Sequence, residues 1–170
     1  MSNCNNTTKY IRSQERIELL AEMEKQFDNH NTEYFKNLLD HHDNVIRTRS
    51  ICILADLANE DAVESIGKAL INDKDALVRH EAAFSLGQLG FASAVNTLSE
   101  AVESDPSFFV RHEAAVALGV IGSEKARTIL NEALDDESEE VRTSAVIALS
   151  NLDYISTMKR NNEFTRMTGG

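Results

Sequence analysis

The sequence predicts an all-α fold, an α-solenoid of about four helical hairpins behind an N-terminal helix. Two observations predict it. Alanine, leucine, glutamate and isoleucine dominate from about residue 13 to residue 153, while strictly alternating apolar runs with Asn-Gly or Asp-Gly turns are absent. Four segments also align on one another at steps of 32, 32 and 31 residues: "VIRTRSICILADLA" (45–58), "LVRHEAAFSLGQLG" (77–90), "FVRHEAAVALGVIG" (109–122) and "EVRTSAVIALSNLD" (140–153). Each follows a shorter amphipathic segment, "NTEYFKNLLD", "DAVESIGKAL", "ASAVNTLSEAV" or "KARTILNEAL". The repeating unit is therefore two helices long, and such units bury their apolar faces only by stacking on neighbours.

Taken in order, residues 1–12 are polar throughout and read as a flexible N-terminal arm. The helix from about Ser13 to Asp28 is placed to cap the first repeat, and His30, in "DNHN", belongs to a turn. The repeat domain spans 13–153. The second helix of each unit has an N-cap acceptor in front of it, at Asp43, Asp75, Ser107 and Ser138, with Pro106 just before one of these caps. Arg47, Arg79, Arg111 and Arg142 recur four residues after the caps, and a charge present in every unit reads as scaffold, bonding to neighbouring turns of the stack. His41 and His42, in "LDHHDN", fall in the loop inside the first unit, on the surface. From Tyr154 periodicity is lost, and 154–170 reads as a flexible tail.

Tetratricopeptide and ankyrin arrays have similar periods, but their Trp-Leu-Gly-Tyr and Thr-Pro-Leu-His signatures are missing here. The pattern resembles short HEAT-like repeats.

Composition narrows the function. The chain has 170 residues, 42% apolar, with one proline and no tryptophan, which suits a single soluble domain. A net charge of -11 without a clustered basic surface argues against a nucleic-acid partner and favours a basic polypeptide. Cys4 and Cys52 stand alone and form neither a disulfide framework nor a paired-cysteine metal motif. A signal peptide and a membrane-length apolar run are both absent, so a cytoplasmic location is expected. Phosphate-loop, serine-nucleophile and Rossmann motifs are absent as well.

At 100° per residue, Val78, Ala82, Ser85, Leu86 and Leu89 fall on the core side of the second-unit helix, with Ala83 and Gly87 on its flank. His80, Glu81, Phe84 and Gln88 take the remaining face. The third unit repeats this, with Val110, Ala114, Ala117, Leu118 and Ile121 inside and His112, Glu113, Val116 and Val120 outside. Both His-Glu pairs therefore stand on one surface of adjacent helices, in a solenoid commonly the concave, ligand-binding one. The end units carry Thr48-Arg49 and Thr143-Ser144 instead, so the repeat itself does not require the pair.

Helices packed about 8–10 Å apart let His80 and His112 reach toward each other, and either glutamate can complete a set of two imidazoles and one carboxylate. That set, with open positions left over, is favoured by non-haem Fe(II) sites that activate oxygen. Zinc can use the same atoms, but a structural zinc site fills four positions and usually shows cysteines, which tilts the reading to iron.

"LVRHEAAFSLGQLG" followed at this interval by "FVRHEAAVALGVIG" resembles one half of a deoxyhypusine hydroxylase, a HEAT-like di-iron monooxygenase family that hydroxylates the deoxyhypusine side chain of a translation factor. The resemblance covers roughly residues 32–155. It implies Fe(II) as cofactor and O₂ as co-substrate, with His80, His112 and Glu113 as the iron ligands and Glu81 as the carboxylate that holds the cationic substrate side chain. It also implies hypusine biosynthesis and a basic protein substrate carrying a modified lysine. The family has four His-Glu motifs in one chain and this sequence has two, so a homodimer is expected to complete the site, one iron per chain and two per dimeric site. Phe84, Val116 and Ile147, apolar on the same outer face, are expected at that interface or pocket. The alternative function is a non-catalytic HEAT-like adaptor, or a phycobilin-lyase-like repeat protein sharing the "VRxxAAxALG" frame, in which neither histidine meets a metal.

Overall fold

In the second and third hairpins a short helix ends at an extended aspartate, Asp73 or Asp105, and a longer helix starts three residues later. The computed structural model describes residues 3–57 and 59–161, with side chains described from residue 14. The helices are α1 (Asn3–Asp28), α2 (Thr32–Leu38), α3 (Asn44–Leu57), α4 (Val63–Asn72), α5 (Ala76–Leu89), α6 (Val95–Ser104), α7 (Phe108–Ile121), α8 (Arg127–Glu132) and α9 (Glu139–Arg160). No strand occurs among the described residues. The fold is an all-α solenoid, as the 32-residue period predicts. α3, α5, α7 and α9 lie side by side in one layer, while α4, α6 and α8 form the other and α2 packs on α3.

The core runs between the layers. Ile46, Leu54, Ile66, Leu70, Leu86, Leu98, Leu118, Leu130 and Leu152 are all fully buried, each contributing about 1.5–3 kcal/mol of apolar burial. α1 closes the first end, with Met23 buried in the core and Arg16 bridging to Asp43 at 2.7 Å.

The recurring arginines build a ladder between units. Arg47 donates Nε and Nη2 to Asp73 at 2.6 and 2.9 Å, Arg79 does the same to Asp105 at 2.7 and 3.0 Å, and Arg111 to Asp136 at 2.8 and 2.9 Å. In each case Nη1 also bonds a loop carbonyl: that of His41, Asp73 or Asp105. These paired, planar forks keep buried charge satisfied, and the Arg111 guanidinium holds the Asp136 carboxyl below the usual carboxylate range. Among the described residues, Arg142 Nη1 meets the Asp136 and Glu137 carbonyls and no carboxylate.

Capping differs from expectation at two of four positions. Asp43 and Asp75 accept from the amides of Val45 and Leu77, but Ser107 and Ser138 make no side-chain cap bond. Asp105 and Asp136, two residues earlier, instead accept from the amides of Ser107 and Ser138 at 2.8 Å. The ladder carboxylates thus fix the helix entries as well.

Helix ends depart from the predicted boundaries for a local reason. Gly90 and Gly122 adopt left-handed φ of 72° and 65° and stop α5 and α7. The corresponding residue of the last unit is Asp153, so α9 continues to Arg160 and buries Ile155 over Gly122. Helix likewise begins at Asn3, inside the segment expected to be a flexible arm. Residues 162–170 of the expected tail lie outside the described residues.

Candidate functional site

The glycines and alanines on the flanks of α5, α7 and α9 set how far apart the His-Glu helices stand. A Cβ on Gly87 would lie 2.8 Å from Ala117 Cβ, and one on Gly119 would lie 2.8 Å from both Cα and Cβ of Ala148. Such close backbones leave little space between facing side chains, so the outer-face residues of one helix meet those of the next.

The contacts they make are diagonal. His80 of α5 reaches Glu113 of α7, Nε2 to Oε2, at 3.3 Å, with side chains 22% and 13% exposed. The His80 ring also stacks on Phe109, centroids 3.9 Å apart and planes within 7°, which fixes its plane and covers one face. His112 of α7 meets Ser144 of α9, Nδ1 to Oγ, at 2.7 Å. Glu81 of α5 leans the other way, to α3, where Cys52 donates its thiol to Oε1 at 3.1 Å. Burial, with Glu81 beside it, pushes the Cys52 thiol up to about 12.

All four predicted residues therefore stand on the expected outer face, half-buried, but not as one cluster. Among the described residues no group of three or more His, Cys, Asp or Glu side chains is placed to hold a metal ion. His80 and Glu113 stand as a pair, and His112 stands against Ser144. The reason is register: the histidine position of one unit faces the glutamate position of the next, so His80 finds Glu113 while His112 finds Ser144. Ser144 and Phe109 were missed in the sequence; the series Glu81, Glu113, Ser144 at steps of 32 and 31 is the signal that points to the former.

The implied ion can be tested against this geometry. Two donors on one ion, each about 2.0–2.2 Å from it, stand about 3.0–3.4 Å apart. The His80–Glu113 separation lies in that range, and imidazole with carboxylate suits iron. The donor chemistry and spacing of the pair fit an ion.

Beside His112 the outer face becomes apolar. Val116, Val120, Ile147, Ala148, Asn151 and Tyr154 line an open groove of about 560 Å³ between α7 and α9. Ile147 is 64% exposed and Phe84, one unit back, is 41% exposed.

The sequence model for HEAT repeats matches residues 63–150, just over half of the chain. The chain belongs to the HEAT-repeat family. Among solved structures, this HEAT-repeat protein is similar to human deoxyhypusine hydroxylase in complex with glycerol, at 31% identity and a TM-score of 0.67, over 73% of this chain and 44% of that one. It thus spans less than half the length of the human enzyme. It also shares its fold with the complex of CpcE and CpcF of phycocyanin lyase from Nostoc, at 24% identity and a TM-score of 0.60, over 69% of this chain and 79% of that one. No curated protein matches it. No helix among the described residues is long and apolar enough to cross a membrane.

Proposed function

We propose that this HEAT-repeat protein is an iron-dependent, O₂-using monooxygenase of the deoxyhypusine hydroxylase kind, acting on a lysine-derived side chain of a basic protein, with a di-iron site completed across a homodimer. The observation that carries the reading is the contact of His80 with Glu113 across adjacent helices at ion-sharing distance. The 31% identity to a deoxyhypusine hydroxylase over 73% of the chain supports it.

His80, Glu113 and His112 would hold the iron, which when bound supplies the activation of oxygen. Their own part is rigidity: α5 is locked to α7 by the Gly87–Ala117 contact and α7 to α9 by the Gly119–Ala148 contact, and Phe109 keeps the His80 ring in its plane. Glu81 is turned toward α3 and so is free of the ligand pair. It binds the substrate ammonium, and the Cys52 thiol orients it for that. The net charge of -11 draws in a basic substrate. Exposed Val116, Val120 and Ile147 beside His112 give a second copy an apolar surface to cover, and that copy brings the second His-Glu set opposite the first.

A non-catalytic adaptor is the second reading, favoured by the match to HEAT repeats over residues 63–150. Anaerobic loading with Fe(II) separates the two. The enzyme reading predicts one iron per chain in the wild type, loss of iron in His80→Ala and His112→Ala, and retained iron with lost binding of a deoxyhypusine-bearing peptide in Glu81→Gln. Equal iron content in wild type and His112→Ala would contradict the assignment.

A further inference from the structure

We infer that Ser144 is a positioning residue that fixes the tautomer of His112, holding its proton on Nδ1 and leaving Nε2 as a free donor. The inference deepens the proposed function and rests on it only for what Nε2 then binds.

Ser144 is 4% exposed and its hydroxyl has two close neighbours: the Glu140 carbonyl oxygen at 2.9 Å and His112 Nδ1 at 2.7 Å. A hydroxyl has one proton. The carbonyl can only accept, and two oxygens 2.9 Å apart with no proton between them repel, so the Ser144 proton lies toward Glu140. The 2.7 Å contact to His112 then needs a proton from the imidazole, and Nδ1 donates it. In a neutral ring the other nitrogen is left with its lone pair.

Position in the repeat strengthens the case. Ser144 stands where the preceding units have Glu113 and Glu81. A carboxylate there pairs with the preceding histidine through Nε2, as Glu113 does with His80. A short hydroxyl, bonded back to its own helix, reaches only the near nitrogen, Nδ1. The fourth unit therefore carries here a group that orients a histidine through Nδ1 and, among the described residues, leaves its far nitrogen without a partner. A ligating histidine commonly has its other nitrogen fixed in this way, and loss of such a partner typically weakens metal binding 10–100-fold.

The test is made first on metal-free protein. Long-range proton–nitrogen correlation spectra of the imidazoles, recorded where His112 is neutral, are predicted to show the Nδ1–H tautomer in the wild type. Ser144→Ala is predicted to move His112 toward Nε2–H, and Ser144→Thr, which keeps a hydroxyl, to restore Nδ1–H. Titration with Co(II) as probe is predicted to show about 10–100-fold weaker binding to Ser144→Ala, with rescue in Ser144→Thr. A wild-type His112 with its proton on Nε2, or a tautomer unchanged in Ser144→Ala, overturns the inference. The predicted tautomer shift in a protein that binds neither Co(II) nor Fe(II) upholds the role of Ser144 and overturns the iron reading instead.

Discussion

Cys52 and Ser85 show how single side chains record their surroundings. Cys52 is half-buried and donates to Glu81, and burial first, then that bond, pushes its thiol up to about 12. A thiol with that value carries about a thousandfold less thiolate at pH 8 than one near 9. Alkylation of the Cys52 peptide, followed by mass spectrometry, is expected to keep accelerating above pH 10, and Glu81→Gln to lower the pH at which the rate levels. A wild-type plateau at pH 9 contradicts the contact. Ser85 is 1% exposed and its hydroxyl has no partner among the described residues, whereas the equivalent residues of the next two units are Ala117 and Ala148. Ser85→Ala is expected to stabilise the protein by about 1 kcal/mol, because it removes an unpaired buried hydroxyl; a lowered denaturation midpoint would count against that packing.

Elements are positioned by close approach rather than by large side chains. Gly119 sits against the backbone of Ala148, and a methyl group there would fall 2.8 Å from two of its atoms. Gly119→Ala gains about 1 kcal/mol of helix propensity but forces α7 and α9 apart, and overpacking of this kind costs about 1–3 kcal/mol. A lower urea midpoint is expected, together with a longer distance between His112 and Ser144. A raised midpoint with the His112–Ser144 distance unchanged would mean that the two helices are not held at that spacing.

The same scale explains what could be read in the sequence. Hairpin order, the arginine scaffold and the outer face of both His-Glu pairs follow from period and helical geometry, and the structure has them there. Which side chain meets which does not follow. A 32-residue period aligns His80 with His112, but the lateral register of packed helices sets His80 against Glu113 and His112 against Ser144. The end of α1 at Asp28 was legible, as were the ends of α5 and α7 that Gly90 and Gly122 mark, while Asp153, without that freedom, lets α9 run on. The cap roles of Ser107 and Ser138 were misread: neither side chain makes a cap bond, while Asp105 and Asp136 accept from their amides.

At the scale of the whole molecule, the proposed function makes the stack one half of a symmetric arrangement. Two His-Glu units lie between two units without the motif, an apolar groove opens beside the last histidine, and the chain spans 44% of the human hydroxylase it resembles. A two-fold partner would cover the groove and supply the other His-Glu set, which makes assembly and metal binding two readings of one event. Light scattering on size-exclusion eluate, with iron determined in the same fractions after anaerobic loading with Fe(II), measures both at once. The account predicts a species of twice the 18.9 kDa chain mass with two irons; an 18.9 kDa monomer at micromolar concentration, with or without iron, would contradict it.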